Sequence, residues 1–358
     1  MSKIRGQFSF FDLENHLEKI YQINDFLLKL NVLINWEIFR ETLNIVRDKE
    51  RKSNAGRPPF DVLLMFKVLV LKSMYNLSDE QTEFQIRDRI SFRDFLGLTL
   101  ADIVPDAKTI WAFAEQLKNL ELEQLLFDRF DEELDRQGFQ VKGGTIVDSS
   151  FVEVPRQRNS REENKQIKNV EVPDRIASNP HVEAQKDLDA EWTKKGNDTF
   201  FGYKDHVASD VEHKLIRGYG VTGAATHDSE PYLDVVPEKP AFDDQEAYAD
   251  SAYAGEKIDT ELKKRGYKPQ ICEKGYRNHP LTEEQKESNR KKSKVRCRIE
   301  HIFGAQKMRM GNEILRSIGF ARARFWIGMR NLMYNMSRLV SLKRPKPKSR
   351  KLSLEPAK

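Results

Sequence analysis

The first 140 residues carry apolar side chains at helical spacing. Leu27, Leu28, Leu30, Val32 and Leu33 lead into Trp36, Phe39 and Leu43, a recurrence of three and four that predicts helix. Gly56-Arg57-Pro58-Pro59 breaks the pattern, and its prolines suit the start of a following helix. Residues 60–75 are apolar almost throughout and predict a largely buried helix. Ser78 and Gln81 are spaced as a capping box for the next one. A further helix begins near Asp106, with Ile110, Phe113 and Leu117 on one face. Short helices in series resemble a helix-turn-helix array. They suit a helical packing or dimerisation domain equally well, and the pattern leaves both open.

After Gly143-Gly144 the period changes. Residues 145–152 are β-branched and glycine-bounded, which predicts a strand. Strand signals return at 200–207, 215–222, 246–253 and 268–272. Residues 155–198 are polar and charged, and read as an excursion or partly disordered loop after the first strand. Helical patterns follow over 282–308 and 322–340.

The length of 358 residues suits two or three domains. The chain is 39% hydrophobic with 21 Phe, 10 Tyr and 4 Trp, which excludes a fully disordered or collagen-like chain. No apolar run approaches a membrane span, since the most apolar stretch, 63–71, is short and contains Lys67. The N-terminus turns polar too soon for a signal peptide. Cys272 and Cys297, the only cysteines, predict neither a disulfide framework nor a cysteine zinc site. A soluble protein of the reducing cytoplasm is the expectation.

Charge is uneven. The net charge is +5, yet from Lys286 onward 21 Lys and Arg face 4 Asp and Glu, leaving 40 and 52 before it. A basic block of this size points to a polyanion such as nucleic acid, or to a solvated basic face with a disordered tail.

Three strings carry candidate chemistry: IVDSSFV around Asp148, YADSAYAG around Asp250 and RCRIEHIFGAQK around Glu300. Strands are poor in Asp, and a buried carboxylate without a partner costs several kcal/mol. Two such aspartates, each followed by Ser, therefore ask for a cation, a network or a task. Val295, Ile299 and Ile302 form an apolar stripe, and Glu300 lies at its edge. Arg296, Glu300 and Lys307 share one side of a continuous helix, where an ordinary Arg–Glu pair fits too. Lys286, Arg290, Lys291, Lys292, Lys294 and Arg298 surround them, a run that suits a phosphate backbone. Two Asp and a Glu make a plausible oxygen-only site for Mg²⁺ or Mn²⁺. Two such ions about 4 Å apart can activate an attacking oxygen and stabilise a leaving one. Converging carboxylates would lie about 4–8 Å apart, and without metal their repulsion should raise at least one pKa.

These strings, their order and the closing Arg-x-x-x-Glu-x(6)-Lys pattern are similar to the insertion-sequence DDE transposases of the IS-five type, within the IS-four/IS-five superfamily. Residues 56–98 resemble that family's helical N-terminal domain. FFGYKDHVASD, VTGAATHDSE, YADSAYAG and RIEHIFGAQK resemble its catalytic core. The resemblance implies an α/β, RNase H-like mixed sheet flanked by helices, preceded by an all-α, helix-turn-helix-like domain. It puts Asp148 on the first strand, Asp250 on the fourth and Glu300 on a late helix, together holding Mg²⁺ or Mn²⁺. Arg296 and Lys307 match the basic pair of the superfamily's Tyr-x-x-Arg-x-x-x-Glu-x(6)-Lys pattern, and Ser293 stands at its tyrosine.

The expected organisation is a helical domain over 1–140, for binding element ends, self-association or both. A catalytic domain follows over 141–342 with its polar insertion at 155–198, then a basic, disordered tail over 343–358. The expected activity is DNA cleavage at the ends of an insertion sequence followed by strand transfer. Lys204, Lys294 and Arg298 join Arg296 and Lys307 as expected DNA contacts. The expected partners are double-stranded DNA, as terminal inverted repeats and target, and a second copy of the chain in a homodimer. The expected location is the bacterial-type cytoplasm, at the nucleoid. Two rivals remain: an inactive transposase-derived DNA-binding protein, and a metal-dependent nuclease without strand transfer. His206, His227 and Asp228 are secondary candidates, while Trp192, Trp326 and the two cysteines are expected to pack.

Overall fold

The computed structural model describes residues 11, 15, 18, 19, 25–48, 58–277, 279–309 and 314–344. Gly56 and Arg57 of the expected helix break, and the basic tail from residue 345, lie outside these described residues.

The N-terminal helices form where the apolar spacing predicts them. α1 (Phe26–Leu33) and α2 (Arg40–Asn44) flank a 3-10 turn at Trp36–Phe39. α3 (Val62–Met74), α4 (Asp79–Asp88), α5 (Ile90–Leu96), α6 (Ala107–Asn119) and α7 (Leu122–Arg136) follow. Three of them, α3, α4 and α6, start on short polar side chains that accept otherwise unpaired amides. Asp61 accepts from the amides of Leu63 and Leu64 at the head of α3. Ser78 and Gln81 close the expected capping box on α4. α3 is buried almost all round, with Phe66, Val68, Leu69, Val70 and Leu71 inaccessible to solvent.

The sheet begins with β1 (Thr145–Glu153). Between β1 and the next expected strand lie three short helices, α8 (Arg161–Lys168), α9 (Asp174–Ala177) and α10 (Pro180–Glu183), and then β2 (Glu191–Lys195). The excursion is thus structured, and it contributes a strand that the pattern did not signal. β2 pairs with the first residues of the long β3 (Asp198–Asp210), and its sequence shows no apolar alternation, with charge at Glu191, Lys194 and Lys195. β4 (Ile216–Gly223), α11 (Tyr232–Val235), β5 (Glu246–Ala249), α12 (Glu256–Arg265) and β6 (Lys268–Ile271) complete the core. β3 is antiparallel to both β1 and β4, while β5 is parallel to both β1 and β6. The spatial order β4-β3-β1-β5-β6 is RNase H-like, with β2 added beside β3. Gly202 sits where β1, β2 and β3 meet, at φ +146°, and a Cβ there would lie 2.3 Å from the Val152 carbonyl oxygen. Only glycine fits that approach.

α13 (Glu283–Arg296), a 3-10 turn at Cys297–Ile299 and α14 (Glu300–Arg309) replace the single expected helix. α15 (Phe320–Leu342) closes the fold as its spine. It is buried along most of its length and packs against α1, α3, α7 and β4. Asn335 clamps it to β4 by accepting from the Ile216 amide and donating to the Ile216 carbonyl, both at 2.8 Å. Arg217 of β4 reaches back to Asp131 and Asp135 of α7, at 2.7 and 3.0 Å. One hydrophobic core therefore runs from Leu27 through Phe130 to Ile146, Phe325 and Leu339. The change of element type near residue 140 is not a break in packing.

Candidate active site

β1 and β5 are parallel, with Thr145 opposite Ala247 and Ile146 opposite Tyr248. Two residues further along each chain stand Asp148 and Asp250, so the pairing register aligns them. β5 ends at Ala249, and Asp250 is not inside the strand as its sequence context suggested. It caps a 3-10 turn, Ser251–Tyr253, and its Oδ1 accepts from the Ala252 amide at 2.7 Å. Asp148 Oδ1 accepts from the Ser149 amide at 2.9 Å. The other oxygens of the two aspartates meet one guanidinium: Arg296 Nη1 lies 3.5 Å from Asp148 Oδ2 and 3.4 Å from Asp250 Oδ2. Those two reaches bound the separation of the two oxygens at 6.9 Å. Burial pushes the Asp148 carboxyl up to about 6, with Asp250 adding to the rise and the Ser149 amide and Arg296 opposing it.

Glu300 takes a different place. It opens α14, and its side chain is exposed. Among the described residues no three His, Cys, Asp or Glu side chains gather closely enough to hold a metal ion. The structure thus brings together two of the three expected acids, with Arg296 between them. The break in the helix supplies a reason. A 3-10 turn advances about 120° per residue against about 100° in an α-helix. Across Cys297–Ile299 this adds about 60°, so Arg296 and Glu300 no longer share one side.

The expected DNA contacts divide in two. Lys294, Arg298 and Lys307 are exposed, and Arg298 also donates to the Val211 carbonyl oxygen at 3.2 Å. Lys204 is instead 7% exposed, over the Phe151 ring, with its ammonium 2.9 Å from Asp228 and donating to the Thr226 carbonyl oxygen at 2.6 Å. Its charge is engaged inside the protein, which corrects its reading as a free phosphate contact: a buried ammonium must be paired. Burial raises the Asp228 carboxyl, but the Lys204 hydrogen bond and charge outweigh it and hold the group below its ordinary value. Asp228, expected at the end of a strand, lies instead in the turn after β4, which ends at Gly223, and there it pairs with Lys204.

His206 is buried beside this pair, with Nε2 2.8 Å from Thr222 Oγ1. Trp192 packs on Phe201 and Trp326 on Phe325 and Lys72, as expected. Cys272 is buried, but Cys297 is exposed and does not pack as expected, because it falls on the solvent side of the 3-10 turn.

Compared with known proteins, residues 140–336 match the family described as Transposase DDE domain, and residues 15–116 match Transposase domain (DUF772). A solved structure of a piggyBac transposase synaptic complex with hairpin DNA is similar at a TM-score of 0.45 and 11% identity, over 88% of this chain and 74% of that one.

Proposed function

Because the chain belongs to the family of the transposase DDE domain, we propose that it is a metal-dependent transposase of the IS-five type, which cuts DNA at the ends of an insertion sequence and joins the freed end to a target. The observation that carries this reading is the pair Asp148 on β1 and Asp250 just past the end of the parallel β5, aligned by the pairing register and sharing one guanidinium. An all-carboxylate donor set suits Mg²⁺ or Mn²⁺. The fit is supported by a cationic group already drawn between the two aspartates. Asp148 and Asp250 would hold the ion, with Glu300 as the third ligand. When bound, the ion supplies charge neutralisation at the attacking and leaving oxygens of phosphodiester displacement.

The remaining roles belong to the chain itself. Arg296 keeps the two carboxylates facing one another and lies within reach of any phosphate delivered to them. Lys294, Arg298 and Lys307, exposed around it, hold the DNA backbone. Lys204 and Asp228 brace the strands beside Asp148. The chain would act as a homodimer on double-stranded element ends and target DNA, at the nucleoid in the cytoplasm.

The test replaces each acid by its amide: Asp148→Asn, Asp250→Asn and Glu300→Gln. Each is expected to abolish cleavage in Mg²⁺ and to keep or raise affinity for end DNA, because negative charge beside phosphate is removed. A variant with near-normal strand transfer strikes its residue from the site. A strand-transfer assay with a 3′-hydroxyl donor end separates a transposase from a nuclease that only cuts.

A further inference from the structure

Behind α14 runs a buried polar chain that the chemistry above does not use. Gln306 is 3% exposed, and Asn331 and Asp205 are inaccessible to solvent. Gln306 Nε2 donates to Asn331 Oδ1 at 2.7 Å, and Asn331 Nδ2 donates to Asp205 Oδ1 at 3.0 Å. Arg330 Nη2 stands 3.8 Å from the other Asp205 oxygen. The chain joins α14, α15 and β3, and β3 is hydrogen-bonded along β1 with Val207 opposite Asp148. It therefore links the helix of Glu300 to the strand beside Asp148.

Stability alone does not call for it. Well-packed apolar residues do as well as a buried polar network or better, and such networks matter more for defining one arrangement. Ile299, Ile302 and Gln306 follow one another at the spacing of a buried helical stripe. An apolar side chain at 306 would complete that stripe. It would also let the helix slide and turn, since dispersion contacts have no direction, whereas a hydrogen bond does. With side chains, a helix has a radius of about 5–6 Å, so a turn of about 20° moves a surface group by about 2 Å. Catalytic groups tolerate about 0.5 Å.

We infer that Gln306 and Asn331 are positioning residues, which fix the rotation of α14 on the sheet and so the point from which the exposed Glu300 side chain would turn toward an ion held on Asp148 and Asp250. The inference rests on the reading of Glu300 as the third acid. Its test uses the full chain and reads Mn²⁺ affinity, from the signal of free Mn²⁺ in electron paramagnetic resonance, beside cleavage of end DNA and the melting temperature. Gln306→Leu is expected to melt near the wild type and to bind end DNA as well. It should lose about 10- to 100-fold in Mn²⁺ affinity and cleavage, the range usual for outer-shell partners of metal ligands. The double variant Gln306→Leu/Glu300→Gln should bind Mn²⁺ no more weakly than Glu300→Gln alone, since both changes act through one carboxylate. Gln306→Met, closer in shape, replaces Gln306→Leu if that variant does not fold.

Three results would overturn the inference. One is wild-type Mn²⁺ affinity and cleavage in Gln306→Leu while Glu300→Gln loses both. Another is an additive loss of Mn²⁺ affinity in the double variant. The third is failure of both position-306 variants to fold, which would make the chain a stability device. If Glu300→Gln itself keeps wild-type Mn²⁺ affinity and cleavage, the reading of Glu300 falls first and the inference with it.

Discussion

His206 shows how a single side chain ties the site to pH. Desolvation lowers its pKa from 6.5 to about 4; Lys204 lowers it further, and Asp228 opposes both. Its Nδ1 is buried without a partner, which suits a neutral ring. Between those two values the unfolded chain holds a proton that the folded chain does not. The contribution is therefore fully present above pH 6.5 and is lost as pH falls through about 4. It amounts to about 3 kcal/mol. Asp131 and Asp148, both raised to about 6 by burial, act in the opposite sense over part of the same window. The comparison must therefore be between variants. Urea midpoints for wild type and His206→Gln, taken from pH 4 to 7, should show the wild type losing more stability on acidification. Parallel curves would remove His206 as the source.

At the scale of elements, α15 comes close to β4. Gly328 lies where a Cβ would meet Tyr219 Oη at 2.5 Å and Cζ at 3.1 Å. Tyr219 Oη is itself buried with no hydrogen-bond partner. Gly328→Ala gains about 1 kcal/mol of helix propensity but forces apart two packed elements, an overpacking cost of about 1–3 kcal/mol. A net loss of stability is expected. Tyr219→Phe alone should be neutral or stabilising, because it removes an unsatisfied buried hydroxyl, and in the Gly328→Ala background it should restore part of the loss. Denaturation of the four proteins measures this. A Gly328→Ala protein more stable than wild type would contradict the contact. Elements also show where pattern and structure part. The helices over 62–74 and 107–119 were plain from their stripes and caps. β2 was not, because a short strand with charge on both faces, at Glu191, Lys194 and Lys195, has no continuous apolar face to betray it.

Across the whole molecule, charge is the feature on which the proposed DNA binding turns. The +17 of residues 286–358, from 21 basic and 4 acidic side chains, includes α13 with none of its residues buried. Trimming residues 343–358 removes Lys343, Arg344, Lys346, Lys348, Arg350, Lys351 and Lys358 with one acid, Glu355. If these cations neutralise phosphates, log K loses about 0.9 per contact per decade of salt. Truncation should therefore flatten the salt slope equally on specific and scrambled end DNA, because phosphate contacts carry no sequence information. An unchanged slope would show that residues 343–358 do not touch phosphate. Among the described residues, no helix is long and apolar enough to cross a membrane.

Local physics sufficed for much of this protein. Helical stripes, capping pairs and β-branched runs depend on neighbours a few residues away, so they are visible in order along the chain. Asp148 and Asp250 stood out for the same reason, as carboxylates in apolar, small-residue surroundings. What the tertiary structure alone decided depends on residues far apart in sequence. The pairing of β1 with β5 aligns the two aspartates, and the turn at Cys297–Ile299 separates Arg296 from Glu300. Lys204 looked like a free cation until Asp228, 24 residues on, was found beside it. Gln306 was legible only as a polar residue in an apolar stripe, because its meaning lies in Asn331 on another helix. A buried polar group is defined by its partner, and partners distant along the chain are chosen by the fold.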